Sequence, residues 1–261
     1  MLEDVQRALE GRPRDARFVV LSDFDGTLAE FHDDPAAPVL TPARRALLTA
    51  LAVRPDITVG LISGRRLNDL RDRTTLPANV YHAGLHGLEL AIEDRRWQHP
   101  DLRETRDVVA ELVARIRARV GDVPGLRLEE KGVALTVHVR GVDPAIREAV
   151  LARAEACADP WLDAGQLKRL VSSQAREYLP NIPWNKGDAL RWIARDVRVE
   201  YGRPPWVVFL GDDVTDEDAF VAIDRGMAIV VGPRPSVARW RLRDPAEVEQ
   251  LLRWIAAEET G

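Results

Sequence analysis

Three times along this 261-residue chain a short apolar run stops abruptly at polar, reactive side chains. Phe18-Val19-Val20-Leu21 ends at Ser22-Asp23, Ile57 to Ile62 ends at Ser63-Gly64, and Trp206 to Leu210 ends in Gly211-Asp212-Asp213. Runs of this length without polar alternation read as strands buried on both faces, which is how the strands of a parallel sheet read. Helical segments lie between them. One opens at Thr41-Pro42, an N-cap followed by proline at the first helical position, and runs to about Ala52. Another covers Leu67 to Arg73, and Met227 to Val231 predicts a further strand before Gly232-Pro233. Strand and helix in alternation predict an α/β fold with a doubly wound, Rossmann-like parallel sheet.

The middle of the chain follows another rule. Between Ala134 and Arg140 apolar and polar residues alternate, Leu135, Val137 and Val139 pointing one way and Thr136, His138 and Arg140 the other. That pattern belongs to an antiparallel sheet with one exposed face. A helix precedes it, a second is expected from near Asp143-Pro144, and a strand is expected before Glu177. The arginines between Arg103 and Arg119 are interleaved with Val108, Val109, Leu112, Val113 and Ile116, which makes them the solvated face of an amphipathic helix rather than an anion-binding patch. Residues 97–180 are therefore expected to form a smaller α+β module, inserted into a core made of 1–96 and 181–261.

Composition excludes several classes of function. A net charge of −5 with 30% charged residues of both signs gives no basic stripe for nucleic acid and no polybasic membrane anchor. No apolar run is long enough to span a bilayer, and the acidic N-terminus has no signal-like apolar core. The single Cys157 sits among alanines and permits neither an internal disulfide framework nor a cysteine zinc cluster. A reduced, cytoplasmic protein is expected. No sequence feature specifies an oligomeric state.

In an open parallel sheet, ligands bind outside the carboxyl ends of the strands. The acidic residues ending these runs would gather there, and such a cluster is unfavourable unless a cation neutralises it. An oxygen-only site with few carboxylates suits Mg²⁺, which takes the rest of its shell from water and substrate phosphate. Asp23, at a strand terminus, is placed to attack phosphorus, and Asp25 to protonate a leaving oxygen and then deprotonate water. Gly26 permits the sharp turn between these residues and Thr27. Hydroxyls of Thr27 and Ser63, with nearby backbone N–H groups, offer a phosphate cradle. Lys186 opens a helix behind Asn185 and brings positive charge to the transferring group. Asp212 is the further metal carboxylate, with Asp213 and Asp216 available to orient metal-bound water or Lys186. Each motif alone has an ordinary explanation: a D-x-D loop is commonly an Asx-turn device. Three clusters after apolar strands, with a helix-opening lysine between the second and third, are harder to explain as coincidence.

This ordered set, DFDGT at 23–27, SGR at 63–65, Lys186 and GDDVTDEDAF at 211–220, resembles the motifs of the haloacid dehalogenase superfamily of phosphohydrolases. AGLHGLE at 83–89, the segment Glu129 to Arg140 and ARWRLRDPAEV at 238–248 further resemble trehalose-6-phosphate phosphatases, and the likeness covers nearly the whole chain. The resemblance implies a catalytic core carrying an inserted cap that reads the substrate. It implies Asp23 as nucleophile and Asp25 as acid/base, with Mg²⁺ held by Asp23, the backbone carbonyl of Asp25 and Asp212. Ser63, Gly64 and Lys186 would bind phosphate. Glu129, Lys131 and Glu177 would read sugar hydroxyls, with Arg65, His86 and Arg140 as further substrate contacts.

One departure stands out. Where that family usually carries E-x-[RK]-P, this chain reads Glu177-Tyr178-Leu179-Pro180. Leu179 is expected either to pack under a hinge or to mark a different sugar. His82 is expected to be structural. The leading expectation is hydrolysis of trehalose 6-phosphate; phosphatase action on another glycoside or pseudo-disaccharide phosphate is the near alternative. A phospho-acceptor signalling module and a non-catalytic sugar-phosphate-binding module are remote ones. The former is disfavoured by chain length and the latter by the intact set of Asp23, Asp25, Lys186 and Asp212.

Overall fold

A computed structural model describes residues 1–32, 37–172 and 174–258. The chain divides into two compact units, one of residues 1–97 and 184–261, the other of 98–183.

The strands of the first unit include the three apolar runs, which are buried. They are β1 (Phe18–Ser22), β2 (Ile57–Ile62), β3 (Tyr81–Gly84), β4 (Glu89–Ile92) and β5 (Arg95–Gln98), then β10 (Trp206–Gly211), β11 (Gly226–Val231) and β12 (Trp240–Leu242). Among the described residues they form a sheet in the order β12-β11-β10-β1-β2-β3-β4-β5. Every pairing from β12 to β3 is parallel, and β4 joins β3 antiparallel. The helices are α1 (Leu2–Glu10), α2 (Pro42–Ala52), α3 (Leu67–Thr74), α6 (Lys186–Tyr201), α7 (Glu217–Ala222) and α8 (Pro245–Ala257). Successive residues of a strand point to opposite faces, so β1 is buried twice over. Phe18 and Val20 pack in the cluster that includes residues of α1, α2 and α8. Val19 and Leu21 pack in the one that holds Leu190 and Ile193 of α6 and Phe220 of α7. That is the doubly wound architecture expected from the sequence.

The second unit holds β6 (Arg127–Glu130), β7 (Leu135–His138), β8 (Leu167–Val171) and β9 (Ala175–Pro180), with helices α4 (Thr105–Val120) and α5 (Arg147–Asp163). Its sheet is antiparallel, in the order β6-β7-β9-β8. Leu135, Val137 and Val139 pack with Leu112 and Ile116 of α4 and with Leu151 and Cys157 of α5. The arginine-rich stretch is thus a helix with its apolar stripe inward. The second helix begins at Arg147, later than Asp143-Pro144 suggested, because the Asp143 carboxylate accepts from the Ala145 N–H in a local turn before it. Among the described residues no helix is long and apolar enough to cross a membrane.

Candidate active site

Asp23 follows β1, and its N–H donates to the carbonyl of Leu210 on β10 at 2.8 Å, so the ladder holds the backbone on which the carboxylate is mounted. The chain then turns sharply. Gly26 has φ +80°, and a Cβ there would lie 2.2 Å from Asp212 Oδ2, so only glycine lets the loop approach the end of β10. The Thr27 hydroxyl, fully buried, donates to Asp212 Oδ1 at 2.8 Å. It positions a carboxylate, a role that the sequence reading, which assigned it to phosphate, did not give it.

Lys186 reaches this point from the first turn of α6. Asn185 caps the helix by accepting from the N–H groups of Gly187 and Asp188, and the Asp188 carboxylate returns the bond to the Asn185 N–H. With its helix start fixed, Lys186 Nζ donates to Asp23 Oδ1 at 2.8 Å and to Asp216 Oδ1 at 2.7 Å, all three side chains being buried. Asp216 is therefore the residue that orients the lysine. Its other oxygen accepts from the Asp213 N–H at 2.9 Å, whereas Asp213 itself is exposed and pairs with the Thr215 hydroxyl.

Carboxylate oxygens of Asp23, Asp212 and Asp216 lie within 4.8 Å of one another. Three carboxylates against the one ammonium of Lys186 leave two negative charges without a counter-charge in the cluster. Burial and the neighbouring Asp216, Asp212 and Asp25 push the Asp23 carboxyl well above the usual carboxylate range, against the pull of Lys186. Burial and Asp216 likewise raise Asp212 to about 7. The ammonium of Lys186 is held charged by Asp216 and Asp23, which outweigh its burial. A buried, oxygen-only donor set that lacks two positive charges has the chemistry of a divalent hard-cation site. Asp216 belongs to it more closely than the sequence reading allowed.

Asp25 stands apart from this group. Arg65 grips its two oxygens at 2.5 and 2.7 Å and holds Asp69 with its remaining nitrogen at 3.0 Å. Those two carboxylates keep the Arg65 guanidinium charged in spite of its burial. Sequence reasoning placed Arg65 on substrate and missed Asp69, which lies one helical turn on in α3. The Ser63 hydroxyl accepts from the Arg65 N–H at 3.2 Å, and the α3 start gets its missing acceptor from Glu89, which takes the Leu67 N–H at 3.1 Å. His86 belongs to the same neighbourhood. Leu85, His86 and Gly87 all adopt positive φ, and this turn lays the imidazole where a Cβ on Gly64 would be 2.9 Å from Cε1 and Nε2. Two consecutive non-glycine residues in the left-handed region carry strain that the surrounding structure must hold in place. His82 is structural, as expected. It is buried between the Thr74 hydroxyl and the Val80 carbonyl, and burial lowers its imidazole to about 4.

The other sequence-predicted residues belong to the second unit. Glu129, Thr136 and Glu177 are register partners on adjacent strands and so share one face of the sheet. Lys131 Nζ donates to Glu177 Oε1 at 2.6 Å, and His138 Nε2 lies 2.9 Å from Glu129 Oε2. Thr136, expected on an exposed face, is buried between its two glutamate neighbours, while Arg140 is exposed beyond the strand. Leu179 is buried.

The family model for trehalose-phosphatase matches residues 21–246. The chain belongs to the trehalose-phosphatase family. A trehalose-phosphate phosphatase of Mycobacterium marinum is 35% identical over 272 residues, an alignment covering 98% of this chain and 66% of that protein. This family member thus spans just under two thirds of its relative's length. Among solved structures, the C-terminal domain of Candida albicans trehalose-6-phosphate phosphatase matches with a TM-score of 0.79 at 24% identity, covering 92% of this chain and 93% of that one. A trehalose-6-phosphate phosphatase related protein matches at 0.77, also at 24% identity, covering 91% and 96%. At that identity the structural likeness establishes the fold alone.

Proposed function

We propose that the protein hydrolyses trehalose 6-phosphate to trehalose and phosphate through an aspartyl-phosphate on Asp23, with Mg²⁺ as cofactor. The observation that carries this reading is the largely buried cluster of Asp23, Asp212 and Asp216 beside Lys186, two positive charges short, in a chain of the trehalose-phosphatase family. The carboxylates of Asp23 and Asp212 and the backbone carbonyl of Asp25 would hold the cation, with Asp216 behind them. The chemistry the cation supplies is neutralisation of charge on the phosphoryl oxygens.

The steps follow from the residues. A carboxylate oxygen of Asp23 forms a bond to phosphorus as the bond from phosphorus to the sugar oxygen breaks, and Asp25 gives its proton to that oxygen. Asp25, now a carboxylate, takes a proton from water as the water oxygen attacks phosphorus and the bond to Asp23 breaks. Phosphate leaves and Asp23 is restored. Lys186, Ser63 and the Gly64 backbone hold the phosphoryl oxygens. Arg65 donates to both Asp25 oxygens, so the acid role of Asp25 requires that clamp to open toward the leaving oxygen. Residues 98–183 would act as the substrate-reading cap, with Glu129, Lys131 and Glu177 exchanging their present partners for sugar hydroxyls. Arg140 and His86 are further candidate contacts.

The test is phosphate release from a panel of sugar phosphates under one set of conditions. Trehalose 6-phosphate should give the highest kcat/KM. Another glycoside phosphate that exceeds it by about tenfold would replace trehalose as the substrate while leaving the core chemistry intact. A panel-wide absence of turnover with Mg²⁺ present would overturn the enzymatic reading itself.

A further inference from the structure

Two cavities open in the first unit away from the carboxylate cluster, and they differ in how their charges are satisfied. In one, of about 430 Å³, the cations are engaged. Arg95 pairs with Asp196, and Arg17 donates to Thr58 and Ile57 while lying over the Tyr201 ring. In the other, of about 520 Å³, only one of four is. Arg191, Arg195, Arg198 and Arg225 line it against a single acid, Asp224. Arg191 has Asp188 as a partner at 3.1 Å; among the described residues no salt bridge joins Arg195, Arg198 or Arg225 to an acid, although Asp224 lines the same cavity.

The four arginines are exposed, so water solvates them, and their significance lies in their arrangement. Arg191, Arg195 and Arg198 occupy positions i, i+4 and i+7 of α6, so three like charges line one helical face over roughly 10 Å. Behind them the cavity wall is apolar: Leu190, Ala194, Val207 and Ala222 contribute to it, and Pro204 and Pro205 close one side. Alanines at 194 and 222 leave a slot that larger side chains would fill. The feature is an open cleft whose volume falls in the range of small-molecule sites. Guanidinium forks select phosphate oxygens bidentately and also stack on planar rings. A row of them beside an apolar slot matches a ligand with a flat apolar body and a short chain of negative charges.

We propose that this cavity binds a nucleoside polyphosphate, the ring on the apolar wall and the phosphates along Arg195, Arg198 and Arg225. It is a site separate from the catalytic one. Val207 is the second residue of β10, whereas Asp212 follows the last, which places the two sites roughly 16 Å apart along the strand. The helix that carries the arginines on its later turns has Lys186 as its first residue, so both sites share one rigid element.

The experiment is calorimetric titration with ATP, in chelator so that Mg²⁺-dependent turnover does not interfere. Wild-type protein should bind one ATP saturably. The double variant Arg195→Glu/Arg198→Glu should bind about tenfold more weakly or worse, while keeping wild-type sugar-phosphate turnover when Mg²⁺ is restored. Adenosine and inorganic tripolyphosphate should each bind much more weakly than ATP to the wild-type protein. Equal ATP affinity in the double variant would place the nucleotide elsewhere, at the carboxylate end included, and overturn the proposal. Tripolyphosphate binding as tightly as ATP would reduce the feature to diffuse positive charge, and absence of saturable ATP binding would also end it.

Discussion

The polar groups at the carboxyl end of the parallel sheet and those on the antiparallel sheet of the second unit are built on opposite electrostatic plans. In the first, two buried carboxylates and a half-buried third gather at one lysine, and their excess charge is left for something not encoded in the chain. In the second, each carboxylate has a local partner: Glu177 has Lys131 and Thr136, and Glu129 has His138. An uncompensated cluster of this kind stores a demand for a cation, and under the proposed function that cation and the lysine would hold a phosphoryl group together. A compensated polar face makes no such demand. It offers donors and acceptors already in place, which sugar hydroxyls can take over with little net change in charge. The first plan suits chemistry and the second suits recognition.

The hardest test of that division is Asp23→Asn. The change is nearly isosteric and removes both the nucleophile and one negative charge from the crowded cluster. Turnover of every phosphate ester should fall on the order of 10⁴-fold, while urea denaturation shows stability unchanged or improved. Residual activity near the wild-type level would break the covalent reading. Loss of fold would break the electrostatic one.

Lys186→Met reverses the sign. It removes the cluster's ammonium and leaves Asp23 and Asp216 facing one another, buried. Removing one partner of a buried ion pair costs about 3–5 kcal/mol, so urea denaturation in metal-free buffer should show a loss of that size. Lys131→Met in the second unit should cost less, about 1–2 kcal/mol, because Glu177 retains the Thr136 hydroxyl and some exposure to solvent. Equal losses would mean that the two regions do not differ as argued.

The pH dependence of the metal-free protein separates the regions further. Asp23 and Asp212 titrate above their unfolded values, Asp212 near 7, so the folded protein binds more protons than the unfolded chain between about pH 4 and 7. Their contribution to stability is fully present below the unfolded value and is lost as pH rises through the folded one. In chelator, wild-type protein should therefore lose roughly 3 kcal/mol more than Asp212→Asn between pH 5 and 8. Comparison with that variant cancels His82, whose depressed value works in the opposite direction over much of the same window. Added Mg²⁺ should abolish the difference for wild-type protein. A wild-type profile parallel to that of Asp212→Asn would show that the carboxylates are not crowded.

Much of this was legible in the chain because the relevant signals are local. Apolar runs that end at Asp23, Ser63 and Asp212 give the parallel strands and their reactive edge, and the alternation from Leu135 to Val139 gives the antiparallel sheet. What was not legible depends on side-chain choices between elements distant in sequence. Thr27 turns to Asp212 rather than outward, and Arg65 closes on Asp25 and Asp69. Neither pairing has a spacing rule, since loop and strand geometry decide which acceptor is nearest. Asp213 and Asp216 were both legible as candidates to orient metal-bound water or Lys186, but not which of the two reaches the lysine. A turn beginning at Asp213 brings the Asp216 carboxylate back to Lys186, while Asp213 faces solvent.

The smallest expected effect bears on the recognition plan directly. Glu129 is held by His138 on a partly open face, so Glu129→Ala removes one acceptor and leaves a histidine that water can satisfy. Folding should be nearly unaffected. If Glu129 reads a sugar hydroxyl, its loss costs one hydrogen bond to a charged group, and KM for trehalose 6-phosphate should rise about tenfold. An aryl phosphate such as p-nitrophenyl phosphate presents no hydroxyls to this face, so its kcat and KM should stay at wild-type values. Steady-state kinetics on the two substrates reads the ratio. Parallel loss on both would return Glu129 to a structural role and remove the evidence that the compensated face serves recognition.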